Sequence, residues 1–206
     1  MTSPTALRAW EVPPETDRIE MAERDDEPTL DEMFEWIEEM PIPEGYKTEI
    51  VGGHIFMTPQ RDTHWEIIFG IIEQLRTKYP RKRLKSDVRI DFPGHLNGFA
   101  CDVVAMKDGA VLDGKGHWRY EDVEFVAEVI SKATASNDYG PKKAAFAAAG
   151  VPAYLIVDPY TGKWHLHTLP KDDEYHCTLS LGFGDDIDLT QTPVGLTLTT
   201  DEFPRD

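Results

Sequence analysis

The segment 123–158 constrains the fold of this chain more than any other feature of the sequence. Its apolar pattern predicts a strand at 124–131, a helix at 138–149 and a second strand at 154–157. Short polar or glycine-containing stretches separate the three elements. A helix between two apolar strands has to bury one of its faces, so we expect it to pack on the sheet that contains the first strand.

The predicted helix carries its own start and stop signals. Asn137 or Asp138 can cap its first turn, and Gly150 follows its last residue. Asp138, Lys142 and Phe146 are spaced four residues apart and therefore share one face of the helix. Lys142 is thus expected to point toward the surface on which Phe146 packs.

Two acidic residues interrupt apolar runs that predict strands. Glu128 lies in the run FVAEVIS, and Asp102 lies in the run FACDVVAM. Burial of a carboxylate costs stability unless a partner or a metal compensates its charge. If the two strands are neighbours, the carboxylates form an acidic pocket that can hold Mg²⁺ or Mn²⁺, with Lys142 close by. The alternative is that each acid lies at a strand edge and faces solvent.

The remainder of the chain alternates helical and strand patterns without an internal repeat. Gly52 and Gly53 predict a two-residue turn between the arms of a hairpin. This order of elements predicts an α/β or α+β core, with a mixed β-sheet flanked by helices and preceded by an N-terminal helix and the hairpin. The other predicted elements are a helix after Thr29, the hairpin at 46–58, a helix at 63–78, and strands at 84–92, 99–106, 163–169 and 175–181.

The net charge of −17 is unevenly distributed along the chain. Residues 1–40 carry 13 acids and 3 bases, and residues 171–206 carry 9 acids and 2 bases. Residues 41–170 carry 16 of each and are neutral. Such acidic ends are typical of solvated, partly disordered segments. The predicted organisation is an acidic tail at 1–28, a domain at 29–185 and an acidic C-terminal extension at 186–206.

Length and composition favour a single domain in a reducing compartment. A chain of 206 residues can bury one hydrophobic core. No apolar run has the length of a membrane span, and the first residues lack the pattern of a secretory signal. Cys101 and Cys177 are too few for a disulfide framework, so we expect a cytoplasmic location without membrane partners.

A basic cluster lies inside the neutral region. The segment 76–89 contains seven bases and one acid, and this composition suits contacts with phosphate groups. A solvated helix end followed by a loop would have the same composition, so both interpretations stay open.

A series of short motifs carries a family resemblance over residues 30–185, and it is most specific at 123–159. The motifs are EVIS at 128–131, the spacing of Asp138, Lys142 and Phe146, AGVPAY at 149–154, VDP at 157–159, DVV with Asp102, TEIVGG with Glu49 and RDTHWEII with His64. Together they resemble the Uma-type putative restriction endonuclease family, within the PD-(D/E)XK nuclease superfamily.

This resemblance implies a restriction-endonuclease-like core and a metal-dependent endonuclease that hydrolyses phosphodiester bonds, with DNA as the expected substrate. Asp102, Glu128 and the carbonyl group of Val129 would bind Mg²⁺ or Mn²⁺. Glu49 would add a third carboxylate. Lys142 would orient the attacking water or stabilise the charge that develops on the phosphate.

The chain departs from the family pattern at several positions, among them the SPST stretch, which is SKAT at 131–134. Cys101 replaces the proline of the PD pair, and Phe146 replaces the tyrosine of the helix. Ile130 replaces the lysine of the E-x-K motif. The function of that lysine is therefore expected on the helix, at Lys142 or, as the second choice, at Lys143.

The predicted partner is DNA. Nucleases that cut both strands are commonly symmetric dimers, so a homodimer is compatible with this activity, although no motif in the sequence indicates one. The residues predicted to contact nucleic acid are Lys82, Arg83, Lys85, His64 and Lys143.

Two other hypotheses remain. The first is a catalytically inactive module that keeps the nuclease fold and binds nucleic acid or another protein. The acidic ends motivate it, because they repel DNA unless their charge is neutralised. The second is that the acidic tail covers the basic segment 76–89 and regulates access to it.

Overall fold

A computed structural model describes residues 27–206, so the acidic tail predicted at 1–28 lies outside the described residues except for its last two positions. The helices are α1 (Leu30–Glu39), α2 (Asp62–Leu75), α3 (Ala135–Asn137) and α4 (Lys143–Ala148), and a π-helical turn, Asp138–Lys142, joins the last two. None of these helices is long and apolar enough to cross a membrane. The strands are β1 (Tyr46–Val51), β2 (His54–Pro59), β3 (Leu84–Lys85), β4 (Arg89–Phe92), β5 (Asn97–Ala100), β6 (Val103–Met106), β7 (Trp118–Arg119), β8 (Val123–Val129), β9 (Ala153–Asp158), β10 (Lys163–Lys171), β11 (Glu174–Gly182), β12 (Ile187–Asp188) and β13 (Thr197–Leu198).

The described strands form two large mixed sheets and one small pair. The strand order is β2-β1-β5-β4-β7 in the five-stranded sheet and β11-β10-β9-β8-β6-β3 in the six-stranded sheet, and β12 pairs with β13. Strands β8 and β9 run parallel because a helical connection joins them, whereas β6 is antiparallel to β8 and β10 is antiparallel to β9. The predicted α+β class with a mixed sheet flanked by helices is confirmed.

The N-terminal helix and the hairpin form as predicted. Thr29 and Glu32 make a reciprocal capping box at the start of α1. The apolar face of this helix buries Ile37 against Ile50 of β1. The hairpin between β1 and β2 turns at residues 52–53, where both glycines have positive φ angles that other residues rarely adopt.

Two predicted strands are each divided between the two large sheets. The run at 84–92 forms β3 in the six-stranded sheet and β4 in the five-stranded sheet. The run at 99–106 is divided in the same way between β5 and β6. The prediction of two continuous strands is therefore wrong. Asp102 lies at the second break, where the chain passes from one sheet to the other.

The central helix begins earlier than predicted and is not uniform. It starts at Ala135, and its π-helical turn contains Pro141, which cannot donate a backbone hydrogen bond. Asn137 and Asp138 make no side-chain cap, because both residues lie inside the helical segment. The predicted proximity of Asp138 and Lys142 is confirmed, with 3.1 Å between Oδ1 and Nζ.

The C-terminal residues contribute to the core of the protein. Their acidic composition predicts a solvated extension at 186–206, and this expectation is wrong for the apolar side chains of the segment. These side chains reach the core because apolar residues recur between the acids, and the β12–β13 pair turns them inward. The domain boundary at residue 185 stays a prediction. The residues that pack in the same apolar cluster as α2 are Ile187, Leu189, Val194, Leu198 and Phe203.

Replacement of a C-terminal core residue tests this packing. Leu198 is fully buried, so Leu198→Ala should lower the free energy of unfolding by about 2–5 kcal/mol through the cavity that it leaves. Leu112→Ala, at a loop residue with 48% exposure, should change this free energy by less than about 0.5 kcal/mol. Urea denaturation measures both values. Equal effects of the two substitutions would contradict the packing of this segment.

Candidate active site

Ionisable side chains from both large sheets converge on one small cavity. Its volume is about 20 Å³, which is room for roughly one water molecule. The structure brings together the four residues predicted as catalytic, and it adds two that were not predicted as catalytic. The predicted residues are Glu49, Asp102, Glu128 and Lys142, and the additional ones are Lys47 and Asp138.

These side chains reach the cavity from different elements. Lys47 and Glu49 are two residues apart on β1 and therefore lie on the same face of the strand. Glu128 comes from β8, which is hydrogen-bonded to β6 on one side and to β9 on the other. Asp102 comes from the break between β5 and β6, and the π-helical turn contributes its first and last residues. The local sequence thus determines which helix or strand each residue lies on, whereas the cavity forms only when these elements pack together.

The ammonium group of Lys142 holds three carboxylates together. Its Nζ lies 2.7 Å from Oε1 of Glu128, 2.8 Å from Oε1 of Glu49 and 3.1 Å from Oδ1 of Asp138. Lys142 is only 1% exposed. Burial by itself lowers the pKa of a lysine, but the surrounding carboxylates more than offset this and hold the pKa of Lys142 well above its usual value. Lys142 therefore stays charged.

Lys47 provides a second ammonium group that the sequence analysis missed. Its Nζ lies 2.5 Å from Oδ1 of Asp102, 3.7 Å from Oε2 of Glu128 and 3.8 Å from Oε2 of Glu49. Burial lowers the pKa of Lys47, and the nearby carboxylates raise it further than burial lowers it, so the net pKa shift is upward. The signal that could have revealed this residue is the alternation of β1, which puts Lys47 on the face of Glu49.

Asp102 and Glu128 lie against each other at the crossing of the two sheets. The backbone N–H of Val129 donates to Oδ2 of Asp102 at 2.8 Å, and the N–H of Asp102 donates to Oε2 of Glu128 at 3.3 Å. Burial raises the pKa of Asp102, but Lys47 and the N–H of Val129 more than offset this effect and leave the pKa below its usual value. Burial raises the pKa of Glu128 to about 8, although both lysines act in the opposite direction.

The charges in the cavity leave an excess of negative charge. Four carboxylates and two ammonium groups give a formal charge of −2 when all six groups are ionised. Carboxylate oxygens are the ligands that Mg²⁺ and Mn²⁺ prefer, and a divalent cation would balance this charge. Asp102 and Glu128 both have an oxygen within 4 Å of the Nζ of Lys47, so a cation near the position of this nitrogen would have both carboxylates beside it. The donor set therefore fits a divalent cation.

His64 belongs to the wall of the same cavity. The sequence predicts it as a nucleic-acid contact, but its side chain is only 4% exposed. Neither ring nitrogen makes a well-aligned hydrogen bond to a described residue, although the backbone of Ile130 lies close enough to oppose the lowering of the His64 pKa. Burial lowers the pKa of His64, so a neutral imidazole faces the carboxylates.

The basic residues predicted to contact nucleic acid lie outside the cavity lining. Arg83 donates to Oε2 of Glu124 at 2.8 Å, so a carboxylate already compensates its charge. Lys85 donates to the carbonyl of Lys82, and its ammonium lies 4.1 Å from the centre of the Trp118 ring. Lys82 is exposed. These contacts favour a structural role for Arg83 and Lys85.

Lys143 follows Lys142 directly but points elsewhere. It is half-buried and lines a separate surface depression with His167 and Tyr175. Lys143, the second choice for the catalytic lysine, therefore does not lie with the carboxylates of the cavity.

A second group of possible metal ligands occurs near α1. Asp31, Asp91 and His117 have ligand atoms within 4.8 Å of one another. Arg89 contacts both aspartates and Lys115 contacts Asp31, so basic side chains already compensate the charge of these two carboxylates. It does not line the cavity.

Comparison with known proteins identifies what this chain is similar to. A family model described as "Uma2: Putative restriction endonuclease" matches residues 31–201. The solved structures that match include a putative nuclease belonging to DUF820 from Anabaena variabilis, with a TM-score of 0.65 and 14% sequence identity. The match covers 86% of this chain and 97% of that one, which shows a shared fold. No curated protein matches the sequence.

The raised pKa of Glu128 predicts a dependence of stability on pH. The unfolded chain releases this proton near pH 4.5 and the folded protein near pH 8, so the free energy of unfolding should fall as the pH rises between these values. Buried histidines act in the opposite direction below about pH 6.5, so the interval from pH 6.5 to 8 isolates the glutamate. We expect a loss of about 1–2 kcal/mol over this interval in urea denaturation with a chelator present.

Two variants check the assignment of this effect. Glu128→Gln should flatten the pH dependence above pH 6.5, because the amide has no proton to release. Glu35→Gln, at an exposed position of α1, should leave the dependence as it is in the wild type. A wild-type stability that stays constant or rises between pH 6.5 and 8 would contradict the burial of an ionisable Glu128.

Proposed function

The chain belongs to the Uma2 family, described as putative restriction endonucleases, and we propose that it hydrolyses phosphodiester bonds in DNA with Mg²⁺ or Mn²⁺. The observation that carries the proposal is the convergence of Asp102 and Glu128 beside the buried ammonium group of Lys142. Oxygen ligands for a hard cation and a fixed positive charge are the groups that metal-dependent phosphodiester hydrolysis uses.

Asp102 and Glu128 would hold the cation in this mechanism. Val129, predicted to offer its carbonyl group as a further ligand, lines the cavity next to both carboxylates. When bound, the cation would polarise the scissile phosphate and lower the pKa of an attacking water. The N–H of Val129 fixes one oxygen of Asp102, which leaves Oδ1 as the oxygen that faces the cation position. The backbone therefore orients the first ligand.

Lys142 would act on the water or on the phosphate. Three carboxylates fix the position of its ammonium group, so little reorganisation is needed when negative charge develops on the phosphate. Glu49 and Asp138 are assigned to the positioning of this lysine. Ile130 occupies the place of the E-x-K lysine on the strand, and Lys142 supplies the charge from the helix.

The size of the cavity favours a polymeric substrate. A volume of about 20 Å³ accepts water or an ion and excludes a nucleotide. The substrate backbone would therefore lie across the opening, with only one phosphate close to the carboxylates. Neutral hydrogen-bonding side chains at the cavity wall suit contacts with phosphate oxygens: Thr58, Gln60, Ser131, Thr134 and Asn137.

A second candidate function is a catalytically inactive module that binds nucleic acid or protein. The observation that favours it is the pairing of both lysines with the carboxylates, because this pairing supports the fold without any metal. The cytoplasmic location and the homodimer stay predictions under either function.

Cleavage of supercoiled plasmid DNA tests the proposal. The wild type should cut the plasmid in Mg²⁺ or Mn²⁺ and lose this activity in a chelator. Asp102→Asn, Glu128→Gln and Lys142→Met should each lower the rate by about 100-fold or more, because each removes a charge near the reacting phosphate. Lys171→Met, at a residue whose side chain is 73% exposed, should cut like the wild type.

Two outcomes would decide against nuclease activity at this cavity. One is a folded wild type that cuts neither plasmid nor single-stranded DNA with either metal, which favours the inactive module. The other is equal cleavage by the wild type and the three cavity variants, which indicates a contaminating nuclease. Circular dichroism on each variant separates loss of activity from loss of fold.

A further inference from the structure

Lys47 is the charged residue of the cavity to which no role has yet been assigned. Its side chain is 8% exposed, and its Nζ makes its shortest contact, 2.5 Å, with Oδ1 of Asp102. That oxygen is the one that Val129 leaves available. Oε2 of Glu128 lies 3.7 Å from the same nitrogen. The ammonium group thus stands between the two carboxylates that would bind a divalent cation.

The two lysines of the cavity differ in how firmly they are held. Lys142 has three carboxylate oxygens within 3.1 Å of its Nζ. Lys47 has one close partner, and its other two carboxylate contacts are 3.7 and 3.8 Å long. Its long side chain starts on β1, beside the hairpin strand β2, and ends at the cavity. Moving the ammonium group of Lys47 away from the carboxylates should therefore cost less free energy than moving that of Lys142.

Two cations cannot share the position between Asp102 and Glu128. An ammonium group that contacts Oδ1 of Asp102 blocks this oxygen, and its charge repels an arriving cation. With Lys47 in place, the formal charge of the six groups is −2, and without its ammonium it is −3. Departure of the ammonium group would therefore free a ligand and strengthen the attraction for a cation at the same time.

We propose that Lys47 is an internal competitor of the divalent cation, and that its ammonium group has to leave the space between Asp102 and Glu128 before the cation binds. This inference rests on the proposed function, because it assumes that these two carboxylates are the cation ligands. Lys47 in this role sets the affinity for the cation and partly neutralises the metal-free site. It is a positioning residue, since it acts through Asp102.

Binding of Mn²⁺ alone to the full chain tests the inference without any substrate. Calorimetric titration would compare the wild type with Lys47→Met, Lys47→Arg and Lys171→Met. Lys47→Met should bind Mn²⁺ at least about tenfold more tightly, because the competing charge is gone. Lys47→Arg retains a competing charge and Lys171→Met lies outside the cavity, so both should bind like the wild type. Unchanged or weaker binding by a folded Lys47→Met, or no binding by it at all, would overturn the inference.

A measurement on the wild type covers the case in which Lys47→Met does not fold. Buried lysine ammonium groups exchange protons slowly and give resolved ¹⁵Nζ signals by NMR. Titration with Mg²⁺ should shift the signal of Lys47 strongly or remove it, whereas the signal of Lys142 should stay resolved with a smaller shift, because Lys142 keeps its carboxylate partners. Persistence of the Lys47 signal up to a large excess of Mg²⁺ would overturn the inference.

The plasmid assay keeps this inference separate from the proposed function. Tighter Mn²⁺ binding by Lys47→Met without cleavage by any form of the protein supports the competition and contradicts the nuclease. Metal-dependent cleavage by the wild type together with equal Mn²⁺ affinities supports the nuclease and contradicts the competition.

Discussion

The burial of charge around Lys142 is the constraint on which the rest of the structure depends. An ammonium group with 1% exposure is tolerable only because carboxylates from β1, β8 and the π-helical turn surround it. Strand β1 is far from the other two elements in the sequence, and each of the three brings an acid that would be costly to bury alone. Removal of the lysine would leave those acids uncompensated, so the pairing fixes how the central helix docks between the two sheets.

An aromatic cluster packs beneath the charges and supports this docking. The ring centres of Phe146 and Tyr154 are 4.7 Å apart, and those of Phe99 and Phe146 are 5.5 Å apart. The hydroxyl group of Tyr154 donates to the carbonyl of Asp138, which ties β9 to the π-helical turn. The Nζ of Lys142 lies 5.5 Å from the centre of the Phe99 ring. Loss of the family's helix tyrosine at position 146 therefore leaves an apolar support directly below the charged groups.

The sequence predicted the acids and the helix lysine of the site because short motifs with fixed spacing mark them. It did not predict the crossing of the chain at Asp102, because both halves of the run at 99–106 are buried and their apolar pattern is the same on either sheet. Lys47 was missed because a lysine on a hairpin arm ordinarily faces water. The pairing of Arg83 with Glu124 was also missed, since 41 residues separate them. Local patterns thus indicate elements and motifs, whereas contacts between distant charges require the assembled fold.

The position of the lysine on the helix changes what the site depends on. A lysine on the strand of Glu128 would be placed by strand pairing alone, but Lys142 is placed by the packing of the central helix and by Asp138 within its own turn.

The second ammonium group, on β1, makes the metal-free cavity partly self-neutralised, so the fold does not need a cation to compensate most of its buried charge. The remaining formal charge of −2, which applies when all six groups are ionised, is not needed for folding, and burial makes the ionised form of Glu128 costly, as its raised pKa indicates. A protein that keeps four carboxylates against two ammonium groups in one cavity retains an excess of acids that a divalent cation would compensate, and this favours the proposed metal-dependent nuclease over the inactive module.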